Sequence, residues 1–572
     1  MNNIEIIDRY TVRFYKHLWT VDEVEIAECL WLRRDQNLFY ADIRKVEPYA
    51  LHSFMVKIFP KAMTSPGMIQ YRTQLGKHLR KMYNDSYGEF IDNYYSKTNY
   101  PKELYVHQKR SLSYMLHKQY NLLSFEQGLG KTITAATISK VLSIPRTIII
   151  CPSLVKWNWF HDMTGDWGFN ELYWTIIDAN KSKSIYAFRE RFVVINYEMV
   201  QKHLKYLTKD EVGHIIIDEC HMIKNHKTKT RYKPIDELVK AFPKARVTLL
   251  SGTPVTNRVN DLFSYCKLTK HPLGKNFTKF KDRYTITSGM RGNKVIGSKN
   301  LDDLRLRMSN FMIRKKTEEC LDLPKLIINK YYFEVGEFKQ EYDQALEEFY
   351  NSKKRYDLAS ASEKGKASIE MKANIHTLNR LAATAKVSHI SGLVDKLWNE
   401  GRKAIVFAGY KAPLHELQQI YGDKCVMIDG SVPAHKRQQM IDKFKTDPNC
   451  HVFIGNFRAA GIGINLVNAK DVIFMNFPFT PDLLEQPYKR AHRIGQTENV
   501  NVYYTIGKDT IDEHIFEMIV NKTQDINNLV DKDRKGVVHY NALGNMMFSK
   551  LVQDYEKKAG LQSTQSGFVS VK

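Results

Sequence analysis

Residues 121–142 read NLLSFEQGLGKTITAATISKVL: a short apolar run, a glycine-rich loop, then a stretch with helical spacing. A buried strand that feeds a helix through such a loop opens a parallel α/β unit. Gly128 and Gly130 let the backbone turn its N–H groups onto phosphates, Lys131 can neutralise the β/γ oxygens of ATP, and Thr132 offers a hydroxyl to Mg²⁺. The full phosphate-loop pattern wants glycine or a small residue where this chain carries Phe125. Downstream of Lys131, residues 214–225 read HIIIDECHMIKN. Three isoleucines running into Asp218 and Glu219 set two carboxylates at the carboxyl edge of a sheet, where folds of this kind bind ligands. Asp218 is expected to hold Mg²⁺ through water, and Glu219 to orient and deprotonate the attacking water. A solvated acidic loop would not account for the apolar run before it.

Outward from this pair, apolar runs bounded by turn residues and followed by helical segments recur in two sets. The first comprises 121–124, 147–151, 192–196, 214–217 and 246–250; the second 403–408, 425–428, 451–454, 471–475 and 501–505. Near-continuous β-branched runs alternating with helices predict parallel strands buried on both faces, hence an α/β chain with two doubly wound lobes. The expected division is a small mixed α/β accessory domain at 1–95, lobe one with a helical protrusion at 96–330, and a helical linker at 331–395. Lobe two follows at 396–507, brace helices at 508–550 and a polar tail at 551–572.

Composition narrows the partners. The chain has 86 basic and 62 acidic residues, a net charge of +24. Residues 1–100 are nearly balanced, with 14 basic and 12 acidic, whereas 271–330 hold 14 basic and 6 acidic. The positive charge therefore lies with the motif-bearing region, which suits a polyanion such as DNA. No apolar stretch reaches the length of a membrane span and the N-terminus has no cleavable apolar region, so a cytoplasmic protein is expected. The 7 cysteines are scattered, with no spacing for zinc, and are expected to be reduced.

At this point a family resemblance emerges. Asp218-Glu219-Cys220-His221 resembles the DExH box of superfamily-two helicases, and the 128–132 loop their motif I. SGTP at 251–254, FMIRKKTEECLDLPK at 311–325 and QPYKRAHRIGQ at 486–496 are similar to signatures of the SWI/SNF-type ATPases. The likeness runs from about Leu104 to Val530. It implies two RecA-like lobes with helical protrusions beside a small N-terminal domain. It also implies ATP and Mg²⁺ as cofactors and double-stranded DNA, forked or branched DNA included, as partner. Gln108 matches the glutamine that reads adenine. Ser153 and Lys156, then Asn196 and Tyr197, match motifs that run along the DNA backbone. Gly430, Arg437 and Asn465 match lobe-two positions at the DNA, and Gly461 one at the nucleotide. Ser251, Thr253 and His221 would couple the two ligands. Arg490 and Arg493, three apart, match arginine fingers aimed at the γ-phosphate, a contribution worth on the order of 10³–10⁵ in rate. Phe125 and Gln127 depart from the family's acidic residue and methionine. For Trp157 and Trp159, packing in the core is favoured over base stacking.

The resulting expectation is a DNA-stimulated ATPase that moves along double-stranded DNA in replication, repair or recombination, in a compact prokaryotic, phage or annealing-helicase-like branch. It would be nuclear if eukaryotic. A true strand-separating helicase, a motor directed at RNA polymerase or RNA, and an inert scaffold are the alternatives. Residues 1–95 leave a protein partner and a structure-specific DNA contact equally open.

Overall fold

A computed structural model describes residues 4–60, 63, 69–177, 189–255, 258–288, 294–360, 362–432, 434–457, 466–530, 538–539 and 542–558. The chain divides into two compact units, one built chiefly from residues 1–322 and the other chiefly from 323–527 and 539–572.

In the first unit, strands β1 (Ile4–Ile6), β2 (Thr11–Tyr15), β3 (Arg33–Asp35) and β4 (Leu38–Asp42) form an antiparallel sheet ordered β1-β2-β4-β3. Phe14 and Phe39 point from this sheet into a core with Phe54 and Phe59, and the Phe14 ring meets Phe54 edge-on and stacks on Phe59. This N-terminal layer is not the separate domain that the sequence suggests, because buried polar groups tie it to the remainder of the unit. Asn310 Nδ2 donates to Leu30 O (2.8 Å), and Glu47 N donates to Asn310 Oδ1 (3.0 Å). Lys118 Nζ donates to Asn310 O and Oδ1, both at 2.8 Å. Arg307, wholly buried, donates to Asp22 (2.6 Å) and Asp303 (2.9 Å). Such groups are costly to bury unless paired, so each holds the two layers in one register.

The main sheet of this unit contains β5 (Tyr120–Phe125), β6 (Thr147–Cys151), β7 (Trp174–Ile176), β8 (Phe192–Asn196), β9 (His214–Asp218) and β10 (Arg246–Leu250). An antiparallel pair, β11 (Thr285–Ser288) and β12 (Lys294–Ser298), interrupts the helical protrusion, and β13 (Met312–Lys315) returns to the main sheet. Its order is β13-β5-β10-β9-β6-β8-β7, with every pairing parallel. The five expected strands are present, and the two edge strands β7 and β13 are additions too short to show a periodicity.

The second unit carries β14 (Leu326–Phe333), β15 (Ala404–Ala408), β16 (Cys425–Ile428), β17 (Val452–Asn456), β18 (Asp471–Phe474) and β19 (Val500–Gly507). They form a parallel sheet ordered β14-β19-β18-β15-β17-β16. Two expected boundaries move. Residues 326–333 belong to the second sheet as its edge strand, where exposed Ile328 and Tyr332 hide the usual burial pattern. Residues 551–558 are not tail but the end of helix Ala542–Lys558. There Leu551 is buried, Tyr555 meets the Tyr350 ring at 4.7 Å, and Glu556 accepts from Tyr350 OH (3.1 Å).

Candidate active site

Because the first unit's main-sheet strands are all parallel, their carboxyl ends share one edge, and the strand order decides which motifs meet there. Strand β10 lies between β5 and β9, so the SGTP segment emerges between the glycine loop and the carboxylates. Helix Lys131–Val141 starts directly after Gly130, which sits in the left-handed region at φ 76° as its N-cap; Gly128 has φ 85°. The positive φ favours glycine here, and a Cβ on Gly130 would also lie 2.1 Å from Nε2 at the far end of the Gln108 side chain, which would have to shift. The free N–H groups of the first helical turn then face out of the loop.

Gln108 is buried against this loop. Its Nε2 donates to Leu129 O (3.0 Å) and its Oε1 accepts from Tyr105 N (2.9 Å), while His107 Nε2 also donates to Leu129 O (3.0 Å). Burial pushes the His107 imidazole below its usual pKa, consistent with a neutral ring. Phe125 does not break the phosphate loop. Its side chain is fully buried, edge-on to His107 at 5.4 Å, and the loop opens one residue later. Lys131 Nζ folds back to donate to Phe125 O (3.0 Å) and Glu126 O (3.2 Å). It lies 3.5 Å from where a Cβ on Gly252 would stand.

Strand β9 is buried throughout and ends at Asp218, 6 % exposed. Asp218 Oδ1 accepts from Glu219 N (2.9 Å), and Oδ2 accepts from the indole N–H of Trp159 (2.9 Å). Burial and the adjacent Glu219 carboxylate raise the Asp218 pKa to about 6, against the pull of the Trp159 N–H and the Lys131 ammonium. Glu219 adopts φ 50° and ψ 51°, a left-handed conformation that costs a non-glycine residue on the order of 1–3 kcal/mol and is typical of functional turns. His221 Nδ1 lies 3.1 Å from Glu219 Oε2. Ser251 is buried, and its Oγ accepts from Thr253 N (3.1 Å). The Asp218 carboxylate and the Thr132 hydroxyl are hard oxygen donors of the kind that Mg²⁺ takes, and Mg²⁺ would favour the ionised carboxylate that burial opposes.

Two residues assigned to DNA by resemblance lie inside the protein instead. Tyr197 is 0 % exposed, and its hydroxyl donates to Asp218 O (2.6 Å) and Glu219 O (3.3 Å), so it shapes the carboxylate turn. Lys156 is buried and donates to Ile177 O (2.9 Å). Asn196 is also largely buried and donates to Glu198 (2.9 Å), whereas Ser153 is exposed at the same edge. Motif spacing marks these residues as belonging to the site, but it does not say which way their side chains turn. Trp159 lies in the core as expected, yet its N–H is a site contact. The only sequence signal for that contact is an indole donor within an apolar segment.

In the second unit, Gly430 is exposed in the turn after β16. Arg437 is mostly buried and donates to Val432 O (2.9 Å) and Asp429 O (3.4 Å), which fixes that turn. Gly461 and Asn465 lie outside the described residues. Arg490 and Arg493 sit half-buried in the turn after helix Asp482–Tyr488. The backbone of that turn is fastened by Leu466 N to Arg490 O (3.1 Å) and by Gln496 N to Arg493 O (3.0 Å). Between the arginines, His492 Nε2 donates to Pro324 O (2.8 Å), so the LPK segment and the arginine turn are joined within this unit.

Comparison with known proteins places this architecture. Residues 107–388 match the SNF2-related domain, and 385–495 match the helicase conserved C-terminal domain. A Caenorhabditis elegans homolog of "SWI/SNF-related matrix-associated actin-dependent regulator of chromatin subfamily A-like protein 1" is 29 % identical over 74 % of this chain and 61 % of its own length. The Bos taurus "DNA annealing helicase and endonuclease ZRANB3" is 26 % identical over 73 % of this chain and 40 % of its own. The chain thus spans less than two thirds of the length of these relatives. Among solved structures, the Sulfolobus solfataricus SWI2/SNF2 ATPase core in complex with dsDNA is 22 % identical, covering 76 % of this chain and 94 % of that one, with a TM-score of 0.37. With a phosphate loop, a DExH turn and an SGTP segment on one sheet edge, and a helicase C-terminal domain after them, the chain belongs to the SNF2-related family of superfamily-two helicase-type ATPases.

Proposed function

We propose that this protein is a DNA-stimulated ATPase that translocates on double-stranded DNA and remodels DNA structures or protein–DNA complexes in replication, repair or recombination. The observation that carries this reading is the strand order, which gathers Lys131, Asp218, Glu219 and the SGTP segment at one edge. Lys131 would release the loop carbonyls to bind β/γ oxygens of ATP. Asp218 and Thr132 would hold Mg²⁺, which supplies charge neutralisation on the phosphates. Glu219, held in its left-handed turn, would take the proton of the attacking water. Arg490 and Arg493 keep the part of arginine fingers, and Ser251, Thr253 and His221 the part of couplers. Ser153 and Gly430, both exposed, are candidates for backbone DNA contacts together with Asn465, with affinity that falls as salt rises.

ATP turnover measured with and without duplex DNA tests the reading. Lys131→Ala and Glu219→Gln should abolish stimulated turnover while DNA binding survives, and equal turnover in those variants would refute the site. Displacement of a triplex-forming strand without unwinding of a forked duplex is the expected motor signature. Efficient fork unwinding would favour a strand-separating helicase instead, and stimulation by RNA alone an RNA-directed motor.

A further inference from the structure

The phosphate loop has a second set of contacts, with the final segment of the first unit. Glu126 N donates to Lys315 O (3.0 Å). The Glu126 carboxylate accepts from Thr317 N (3.2 Å), from Thr317 Oγ1 (2.9 Å) and from Arg314 Nη2 (3.3 Å). Arg314 Nη1 donates to Ser124 O and to Gly252 O, each at 3.1 Å. One guanidinium therefore touches the end of β5, the carboxylate that opens the phosphate loop, and the residue between Ser251 and Thr253. The circuit closes on Lys131, which donates to Glu126 O and stands beside Gly252.

The chemistry of this cluster is specific. Three acceptors diverge around one side chain, which suits the rigid five-donor fork of arginine and not the point charge of lysine. Both partners are about 20 % exposed, so the pair is neither fully screened nor fully desolvated. The segment it grips is the last before the chain passes into the second unit at Leu323. When Lys131 leaves the carbonyls of Phe125 and Glu126 for phosphate oxygens, Glu126 loses a donor on one side and keeps the Arg314–Thr317 grip on the other.

We propose that Arg314, acting with Glu126 and Thr317, is a positioning residue that transmits the state of the phosphate loop to the SGTP segment and to the strand leading out of the first unit. This rests on the ATP-driven motor reading. The cluster is a coupling element and not part of the nucleotide grip, so its loss should separate binding from stimulation.

The test uses the full chain and three variants, Arg314→Lys, Glu126→Gln and Thr317→Val, with circular dichroism and melting to show that each folds. The Kd for a fluorescent ATP analogue and the ATPase rate with and without duplex DNA are measured for each. Arg314→Lys and Glu126→Gln should lower the factor of DNA stimulation about fivefold or more while nucleotide Kd changes less than about twofold, with Thr317→Val moving in the same direction. Stimulation that stays at the wild-type factor overturns the inference. So does a Kd that weakens in step with turnover, because the arginine then merely builds the pocket. A wild-type chain indifferent to duplex DNA overturns the motor reading, and the inference with it.

Discussion

Replacing Trp159 by phenylalanine separates two jobs that one side chain performs. Trp159 is 1 % exposed within the apolar core of the first unit, and its indole N–H reaches Asp218 Oδ2 at 2.9 Å. Removing the smaller ring leaves a void of roughly 40 Å³, which at about 24 cal/mol per Å³ costs about 1 kcal/mol of stability. In a lobe of this size that lowers Tm by about 2–4 °C. Losing the hydrogen bond is a separate matter, because a buried bond to a charged group contributes about 1.5–3 kcal/mol, or roughly tenfold to a hundredfold in an equilibrium. That loss falls on Asp218, whose ionised form burial already opposes. The expected outcome for Trp159→Phe is a modest drop in Tm together with at least about a tenfold fall in DNA-stimulated turnover at a fixed Mg²⁺ concentration, partly recovered by adding Mg²⁺. Duplex affinity should not change. Turnover and Mg²⁺ dependence that match the wild type, with only Tm lowered, would refute the role at Asp218 and leave Trp159 as packing alone.

The same geometry leads to three more expected outcomes. Gly130→Ala forces a Cβ to 2.1 Å from Gln108 Nε2 at a φ of 76°, so nucleotide affinity should fall by about tenfold or more. Adding Gln108→Ala should restore part of it by relieving the contact but not the backbone strain, and a double variant no better than the single would disprove the contact. Tyr197→Phe removes the hydroxyl bonds to Asp218 and Glu219 and should cost about 1–2 kcal/mol in chemical denaturation without changing duplex affinity. A selective loss of DNA binding would return Tyr197 to the DNA-contact role that the family resemblance implies. Burial lowers the Lys118 pKa to about 7, so above that pH the folded chain binds fewer protons here than the unfolded chain does. Stability relative to Lys118→Met should therefore rise with pH from about 7 toward the ordinary lysine range of about 10, by at most about 1.4 kcal/mol per pH unit. Identical pH slopes in denaturation would refute that ionisation.

Much of the machine is legible in the chain because apolar runs and glycine positions report backbone needs that neighbours cannot change. Strands 147–151, 192–196 and 214–218 are buried on both faces, and their β-branched runs say so without help. Residues 326–333 escape such a reading because an edge strand with exposed Ile328 and Tyr332 shows no single buried face. The N-terminal layer looks independent in sequence because its ties are isolated polar residues, Asn310, Lys118 and Arg307, far away along the chain and unremarkable in composition.

The glycine loop shows the same division. By itself the sequence determined that a loop with Gly128 and Gly130 would lead from a buried strand into a helix opening at Lys131, and that Asp218 and Glu219 would end a second buried strand, since both obey local backbone and burial rules. It did not show that Phe125 turns inward and leaves the loop intact, that Tyr197 and Trp159 serve the carboxylates, or that Arg314 holds Glu126 and Gly252 together. Those contacts follow from the strand order: β6 pairs with β9 and β8 with β6, which brings Trp159 and Tyr197 to Asp218, while β5 lies between β13 and β10, which brings Arg314 to Glu126 and Gly252. Strand order is a property of the packed sheet, set by which faces bury best together, and no local pattern encodes it.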